Sequence, residues 1–292
     1  MLKNFYRFVS NLGVKYSFLK NNAVWRNLKP FYSKFKSSTY TSHLKPNEES
    51  IGFFTQNADR VTHIASLLAD EQSKREYLGN ITFRQTCQRK DFPLCDLKTP
   101  QYFIKELSFD KDETFIDCGA FVGDTIDEFI RHCKDYNQII AFEPDTKSYG
   151  ILKKKYRKNP KIQLINAATN DVDGQVYFSE LGNSSSFVSA ETDERQENTV
   201  SVQAKAIDNL NLGKVSFIKM DVEGAEMNSL KGAEKTIVKD KPKLAICIYH
   251  SNEDMLRIPE YIHQLVPEYK LFVRQHFYYP FPTETVLYAI IS

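Results

Sequence analysis

After Asp110 the sequence alternates between short apolar runs and longer amphipathic segments, and this alternation constrains the fold more than any other feature. Strand-like runs occupy residues 114–117, 138–143, 161–166, 215–221, 243–250, 269–275 and 285–291. Segments with helical spacing of apolar residues occupy 125–132, 147–156, 224–238 and 254–265. Strands that alternate with helices are typical of a parallel sheet covered by helices on both faces. The sequence therefore predicts an α/β fold.

Two departures from this alternation predict where strand direction changes. Residues 174–210 contain short strand-like pieces without a long helix, which indicates an antiparallel insertion. Near the C-terminus, residues 276–284 join the last two strand-like runs. This link is too short for the crossover helix that a parallel pair needs, so those two strands must be antiparallel. We predict a mostly parallel, Rossmann-like sheet of seven strands whose last strand is reversed.

The first hundred residues have a different character and predict a mainly helical extension. Residues 57–78 carry apolar side chains at helical spacing, whereas residues 81–85 and 91–103 indicate a linker with short irregular pieces. We therefore expect an extension and linker over residues 1–100, followed by the α/β domain over residues 101–292.

The start of this extension is strongly basic. Residues 1–46 contain nine Lys or Arg residues, no acidic residue and many aromatic side chains. Such a segment suits peripheral contact with an anionic membrane face. It also suits packing on its own domain or on a second subunit. Packing on a second subunit would make the protein a homodimer. We favour packing because the apolar positions would serve protein contacts.

Composition limits the class of protein. With 41% hydrophobic and 26% charged residues, the chain is typical of a globular protein, and 39 basic against 37 acidic residues argue against a nucleic-acid binder. Five cysteines without a CxxC pair predict neither a disulfide framework nor a zinc site, and they fit a reducing cytoplasm. No apolar run approaches the roughly 20 residues of a membrane span, and the first residues lack the apolar core of a signal peptide.

The segment FIDCGAFVGDTIDEF, residues 115–129, joins the first strand to the first helix of this domain. Gly119 and Gly123 would let the backbone approach a ligand closely, or serve only a tight turn. Their spacing differs from the GxGxxG pattern of pyrophosphate binding. Asp117 and Asp124 add negative charge, which suits a ligand that bears an ammonium and a sulfonium group. The helix that begins near Thr125 offers unpaired amides to the same place.

Polar residues follow several of the other strands. Glu143 ends the second strand, where an acid can accept hydrogen bonds from both ribose hydroxyls of an adenosine, and Pro144 follows it. Because the crevice of an open α/β sheet lies beyond the carboxyl ends of the strands, the polar strand ends should converge there. These strand-end residues are Asp117, Glu143, Asn166, Asp221 and His250.

An ordered series of motifs resembles the FkbM-type family of class I S-adenosylmethionine-dependent methyltransferases. The series is FIDCGAFVGDT, AFEPD, INAA, AIDNL, VSFIKMDVEGAE, LKGAEKTI, KPKLAICIYH, EDMLRIPEYIHQL and ETVLYA, between Gln101 and Ile291. The resemblance implies a class I methyltransferase fold, S-adenosylmethionine as cofactor, and methylation mostly of hydroxyl groups on glycan sugars or small natural products. The first hundred residues match only loosely.

The resemblance also implies a set of cofactor-binding residues. The glycine turn should hold the methionine moiety, Glu143 the ribose, and Asn166 with Ala167 the adenine. Gln101 and Tyr102 either cover the cofactor or anchor the core. The complete set is Gln101, Tyr102, Asp117, Gly119, Ala120, Phe121, Gly123, Asp124, Thr125, Glu143, Pro144, Asn166, Ala167 and Asp221.

The expected catalytic residues are His250, Asp221 and Glu223. Methylation of an alcohol gains from a general base, and His250 ends a strand beside the cleft with an ordinary pKa of about 6.5. Asp221 or Glu223 would orient the imidazole or bind the acceptor, and Asp221 could instead bind the cofactor's amino group. We expect no metal, although a cation held by Asp221, Glu223 and His250 stays an alternative.

The sequence therefore favours an enzyme that O-methylates a sugar or glycan acceptor. Two other classes stay open at this stage. A nucleotide-dependent oxidoreductase also uses an acid at the position of Glu143. A non-catalytic binding protein could keep the fold without the activity, although the gathered carboxylates argue against it.

Overall fold

The computed structural model describes residues 46–93, 99–179, 186–188, 199–277 and 283–291. Its centre is a seven-stranded sheet, formed by β1 (Thr114–Cys118), β2 (Gln138–Phe142), β3 (Ile162–Ile165), β8 (Phe217–Met220), β9 (Lys243–Cys247), β10 (Lys270–Gln275) and β11 (Thr285–Ile290). The strand order is β10-β11-β9-β8-β1-β2-β3. β11 is antiparallel to both of its neighbours, while β9, β8, β1, β2 and β3 are parallel to one another. The predicted sheet with a reversed last strand is confirmed.

Helices cover both faces of this sheet, because its strands are apolar on both sides. Phe115 and Phe217 belong to the core on one face, and Ile116 and Ile218 belong to the core on the other. The helices between the strands are α4 (Asp124–His132), α5 (Thr146–Tyr156), α6 (Glu226–Lys231), α7 (Glu234–Asp240) and α8 (Asp254–Leu265).

The predicted antiparallel insertion is a second, four-stranded sheet. Its strands are β4 (Ala168–Thr169), β5 (Gly174–Ser179), β6 (Ser186–Val188) and β7 (Thr199–Lys205), in the order β4-β7-β5-β6. β5 is antiparallel to both β6 and β7, and the short β4 pairs parallel with β7. The insertion therefore separates β3 from β8 in sequence, while β8 returns to the centre of the main sheet beside β1.

The part of the extension that the structure describes consists of α1 (Glu48–Gln56), α2 (Ala58–Leu67) and α3 (Glu71–Thr86). The single helical stretch expected over residues 57–78 is wrong, because Leu68 forms a bridge with Leu271 and the amide of Ala69 donates to the Leu271 carbonyl. Asp70 then begins α3 by accepting a hydrogen bond from the Ser73 amide.

The expected linker over residues 81–85 is also wrong, because these residues belong to α3. Ile81 and Phe83 are buried, so tertiary packing stabilises this end of the helix. The basic segment lies outside the described residues except for its last residue, Pro46. No helix in the described ranges is long and apolar enough to cross a membrane.

The helical stretch expected over residues 224–238 is two helices, α6 and α7. Gly232 lies at the break, where an added Cβ would come within 2.0 Å of the Asn170 carbonyl oxygen. This close approach couples α6 to the start of the insertion.

Candidate active site

The glycine turn lies at the carboxyl end of β1, in contact with the loop that follows β8. Gly119 has a φ of +82°, and a Cβ there would come within 2.0 Å of the Asp221 carbonyl oxygen. Gly123 also has a φ of +82°, and its Cβ would meet the ring of Tyr156. Glycine is therefore needed at both positions for the conformation and for the space. Asp124 begins α4 directly after the turn, and Thr125 is buried behind it.

Glu143 connects the carboxyl end of β2 to this turn. One carboxylate oxygen accepts a hydrogen bond from the Phe121 amide at 2.6 Å, and the other accepts one from the Asp145 amide at 2.8 Å. The side chain is 2% exposed. Ala120 is also buried, and its amide donates to the Phe142 carbonyl. The turn is thus held against the end of β2, as close approach to an adenosine requires.

The residues expected beside the adenine lie at the next strand end. The Asn166 side chain is exposed and donates to the carbonyl oxygens of Glu143 at 2.8 Å and Pro144 at 3.2 Å. Ala167 is buried. Asn166 therefore fixes the backbone after β2, and its expected place beside the adenine stays a prediction.

Asp117 does not face the cleft as an open carboxylate. Its side chain is fully buried, and one oxygen lies 3.1 Å from the Lys219 ammonium. Lys219 also donates to the carbonyls of Cys118 and Gly119 and lies over the ring of Tyr102. Burial raises the pKa of Asp117, and the Lys219 charge opposes this shift. Asp117 and Lys219 therefore pair in the core beside the glycine turn and support it. The expected contact of Asp117 with the methionine moiety stays a prediction.

Tyr102 and Gln101 lie on the other side of the cleft. The Tyr102 hydroxyl donates to the Asp221 carboxylate at 2.9 Å, and its amide donates to the Tyr288 hydroxyl. Tyr102 has a φ of +72°, which is unusual for an aromatic residue. The Gln101 side chain donates to Glu284 at 2.5 Å. Tyr102 and Gln101 are thus held by Asp221 and Glu284, and the expected cover over the cofactor stays a prediction.

The proposed catalytic residues come together after β8 and β9. His250 Nε2 lies 3.6 Å from a Glu223 oxygen and 3.8 Å from Asp221 Oδ1. His250 Nδ1 lies 3.1 Å from Glu226 Oε1. Tyr249 adds a hydrogen bond from its hydroxyl to Asp221 Oδ1. His250, Asp221 and Glu223 therefore lie close together at the ends of β8 and β9, and their catalytic roles stay predictions.

The expected ordinary pKa of His250 is wrong. Burial would lower this pKa, but the charge of Glu226, followed by Glu223 and Asp221, raises it well above the usual value. The carboxylates around His250 therefore stabilise its protonated form, which disfavours the imidazole as the proton acceptor.

Glu226 also belongs to this cluster, although no role was predicted for it. It is fully buried, and its two oxygens accept hydrogen bonds from the amides of Val222 and Gly224. Glu223 and Gly224 both have positive φ values, so the chain folds back sharply and brings Glu226 beneath His250. The spacing of the acids in VEGAE was visible in the sequence, but their direction depends on this turn. Lys219 was missed because a lysine within a strand usually marks a solvated position.

The site thus combines a backbone cradle with an acidic floor. The cradle consists of the glycine turn, Glu143 and Asn166, and the floor of Asp221, Glu223 and Glu226 around His250. This arrangement can hold an adenosine at one end and a cationic group at the other. It can also accept hydrogen bonds from a substrate rich in hydroxyl groups.

Comparison with known proteins agrees with this geometry. The model of the methyltransferase FkbM domain matches residues 117–271. A crystal structure of methyltransferase FkbM from Methylobacillus flagellatus is similar, with 25% sequence identity and a TM-score of 0.69. The match covers 82% of this chain and 60% of that one, so the chain spans less than two thirds of that protein. No curated protein matches the sequence significantly.

More distant structures show weaker likeness. A methyltransferase from Streptococcus mutans, in complex with SAH, has 12% identity and a TM-score of 0.41, over 62% of this chain and 90% of that one. A fibrillarin from Aeropyrum pernix, with bound S-adenosyl-L-methionine, has 11% identity and a TM-score of 0.40, over 64% and 70%. These two carry no argument about the site. Because the family model spans more than half of the sequence, the chain belongs to the FkbM methyltransferase domain family.

Proposed function

We propose that this protein is an S-adenosylmethionine-dependent methyltransferase that methylates a sugar hydroxyl of a glycan or glycan precursor. The observation that carries the proposal is the contact between Glu143 and the glycine turn, in a chain of the FkbM domain family. A buried carboxylate at the end of β2 is positioned to receive both ribose hydroxyls of the cofactor, because each of its oxygens has a second lone pair for them.

The charges of the site favour this cofactor over a dinucleotide. S-adenosylmethionine carries a sulfonium and an ammonium group, whereas NAD carries a pyrophosphate. Asp124 begins α4 at the position where a pyrophosphate would otherwise gain from the helix N-terminus. Glu143 and Asp221 lie nearby, and their negative charges would repel the pyrophosphate of NAD. We therefore place the methionine moiety against the turn and the adenine beside Asn166 and Pro144.

We assign proton acceptance to Glu223. Bound S-adenosylmethionine would supply the methyl group to the acceptor oxygen and would leave as S-adenosylhomocysteine, so this chain would have to supply a base for the hydroxyl proton. The Glu223 side chain is 33% exposed, compared with 21% for Asp221 and none for Glu226. Asp221 already accepts hydrogen bonds from Tyr102 and Tyr249. Glu223 is thus the carboxylate that an acceptor can reach, with Asp221 and His250 orienting it.

Calorimetry with the two cofactors tests the proposal. Purified protein should bind S-adenosylmethionine and S-adenosylhomocysteine with micromolar affinity and show no heat with NAD. Binding of NAD alone would instead support the oxidoreductase. Binding of neither would support a non-catalytic protein.

Methyl transfer is tested with isotope-labelled S-adenosylmethionine and a panel of acceptors: nucleotide sugars, lipid-linked sugars, polysaccharides, and peptides as a contrasting class. We expect label in a base-stable methyl ether on a sugar. Label confined to peptides would contradict the proposed acceptor class while leaving the cofactor assignment intact.

A further inference from the structure

We propose that Asp221, Glu226 and His250 bind one divalent cation at the floor of the cleft. One ligand atom from each residue lies within 4.8 Å of the other two. The cation site follows from these residues alone, whereas its use in catalysis rests on the function proposed above. It would place a positive charge where the acceptor hydroxyl must lose its proton.

Only one ring nitrogen of His250 can bind the cation, because the two nitrogens point away from each other. His250 Nδ1 is 3.1 Å from Glu226 Oε1, while Nε2, on the other side of the ring, is 3.8 Å from Asp221 Oδ1. Adjacent ligands at about 2.1 Å from a cation are about 3.0 Å apart in an octahedral site and about 3.4 Å apart in a tetrahedral one. Because one ligand atom of each residue lies within 4.8 Å of the other two, the three side chains would have to move closer together to share a cation through one ring nitrogen.

The histidine itself indicates that something is missing from the cluster. Both ring nitrogens are enclosed, and neither makes a hydrogen bond of acceptable geometry to any residue that the structure describes. Enclosed polar atoms without a hydrogen bond are rare and call for an explanation. Without a cation, the three carboxylates around one imidazole also concentrate negative charge in a partly buried place. A bound cation would satisfy one of the two ring nitrogens and offset this charge.

The surroundings also provide the second layer of contacts that metal ligands usually have. The Tyr102 and Tyr249 hydroxyls donate to Asp221. The amides of Val222 and Gly224 donate to Glu226. Hydrogen bonds of this kind orient carboxylates toward a metal and hold them in place. The proposed ligands are thus fixed by the fold, while the Glu223 side chain is 33% exposed beside them.

The ligand set identifies the class of cation. Two carboxylates favour Mg²⁺ and Mn²⁺, whereas imidazole favours first-row transition metals, so Mn²⁺ satisfies both preferences. A cation here would act as a Lewis acid on the acceptor hydroxyl, and Glu223 would receive the proton. This division of roles gives Glu223 a function in the cluster, although it is not one of the three proposed ligands.

Titration of the chelator-treated full-length protein with Mn²⁺, followed by electron paramagnetic resonance, tests the site without any acceptor. We expect one equivalent to bind, and we expect His250→Ala and Asp221→Asn each to weaken binding at least ~10-fold. His63→Ala, at an exposed position on α2, is the matched control and should bind Mn²⁺ like the wild type. Thermal unfolding and circular dichroism on each variant establish that it is folded.

The outcomes separate this proposal from the proposed function. Absence of Mn²⁺ uptake by a folded wild-type protein that binds S-adenosylmethionine would overturn the cation site and leave the methyltransferase. Equal uptake by wild type and both variants would also overturn it, because binding would then lie elsewhere. Stoichiometric uptake that both variants lose supports the site, even if no sugar is ever methylated.

Discussion

At the scale of single residues, Glu143 gives the sharpest test of cofactor binding. Glu143→Ala removes the proposed ribose contacts and should weaken S-adenosylmethionine binding by about 1.5–3 kcal/mol, the range for hydrogen bonds to charged groups. It also leaves the amides of Phe121 and Asp145 without their acceptor, so the melting temperature should fall. Calorimetry on the folded variant measures the affinity.

Glu113→Ala is the matched control for Glu143. Glu113 is also a buried glutamate, but it pairs with Lys243 at the opposite end of β1. We expect this variant to lose stability and keep its cofactor affinity. If both variants lost the same affinity, the loss would reflect general destabilisation, and the ribose assignment would fail.

Glu223 gives the corresponding test of chemistry. Glu223→Gln keeps the size of the side chain and removes its basicity, so methyl transfer should slow by about 10²–10⁴-fold with unchanged S-adenosylmethionine affinity. Single-turnover transfer to the acceptor identified above measures the rate. Glu253→Gln, at a partly exposed glutamate that pairs with Arg60, is the control and should retain full rate. Full activity in Glu223→Gln would transfer the role of base to another group.

At the scale of elements, α3 makes a pH-sensitive contact with β10. Glu76 on α3 is 4% exposed and accepts hydrogen bonds from the Gln275 amide and the Gln72 side chain. Burial raises its pKa from 4.5 to about 7, against the opposing effect of these hydrogen bonds. The folded state therefore holds this proton more tightly than the unfolded state. The resulting stability is complete below pH 4.5 and is lost as the pH rises through 7.

This difference predicts the behaviour of Glu76→Gln. From pH 5 to pH 8 the wild type should lose up to about 3 kcal/mol of unfolding free energy that the variant does not lose. Urea unfolding at the two pH values measures both proteins. Glu71→Gln, at an exposed position on the same helix, should behave like the wild type. Parallel pH dependence of wild type and Glu76→Gln would contradict a raised pKa at this contact.

The helices and strands could be predicted from the sequence better than the arrangement of the site residues. Strand direction near the C-terminus follows from the length of one link, and length is visible in a sequence. The break at Leu68 follows from pairing with Leu271, about two hundred positions away in the chain. The direction of Glu226 follows from positive φ values at Glu223 and Gly224, and the pairing of Asp117 follows from Lys219 on a neighbouring strand. These are tertiary facts, for which no local pattern gives a signal.

At the scale of the whole molecule, the prediction concerns the role of the basic N-terminal segment, residues 1–46. We expect deletion of residues 1–45 to change the oligomeric state or the solubility of the protein, because we favour a packing role. Light scattering after size-exclusion chromatography measures the mass of both forms. Sedimentation with anionic liposomes at low and high salt is the companion measurement. Salt-sensitive liposome binding that the deletion abolishes, with no change in mass, would establish membrane contact instead.

The contact of α3 with β10 has a further consequence for the molecule as a whole, because β10 is the last strand on its side of the sheet. An outermost strand presents backbone groups that can recruit a strand from another chain. Here the Ala69 amide occupies the Leu271 carbonyl, Ser73 accepts from the Val273 amide, and Glu76 accepts from the Gln275 amide. α3 and the residues just before it therefore cover the outer edge of β10 and hinder its pairing with a strand of another molecule. A fragment that began at residue 101 would keep every proposed cofactor residue and yet expose a template for fibre growth.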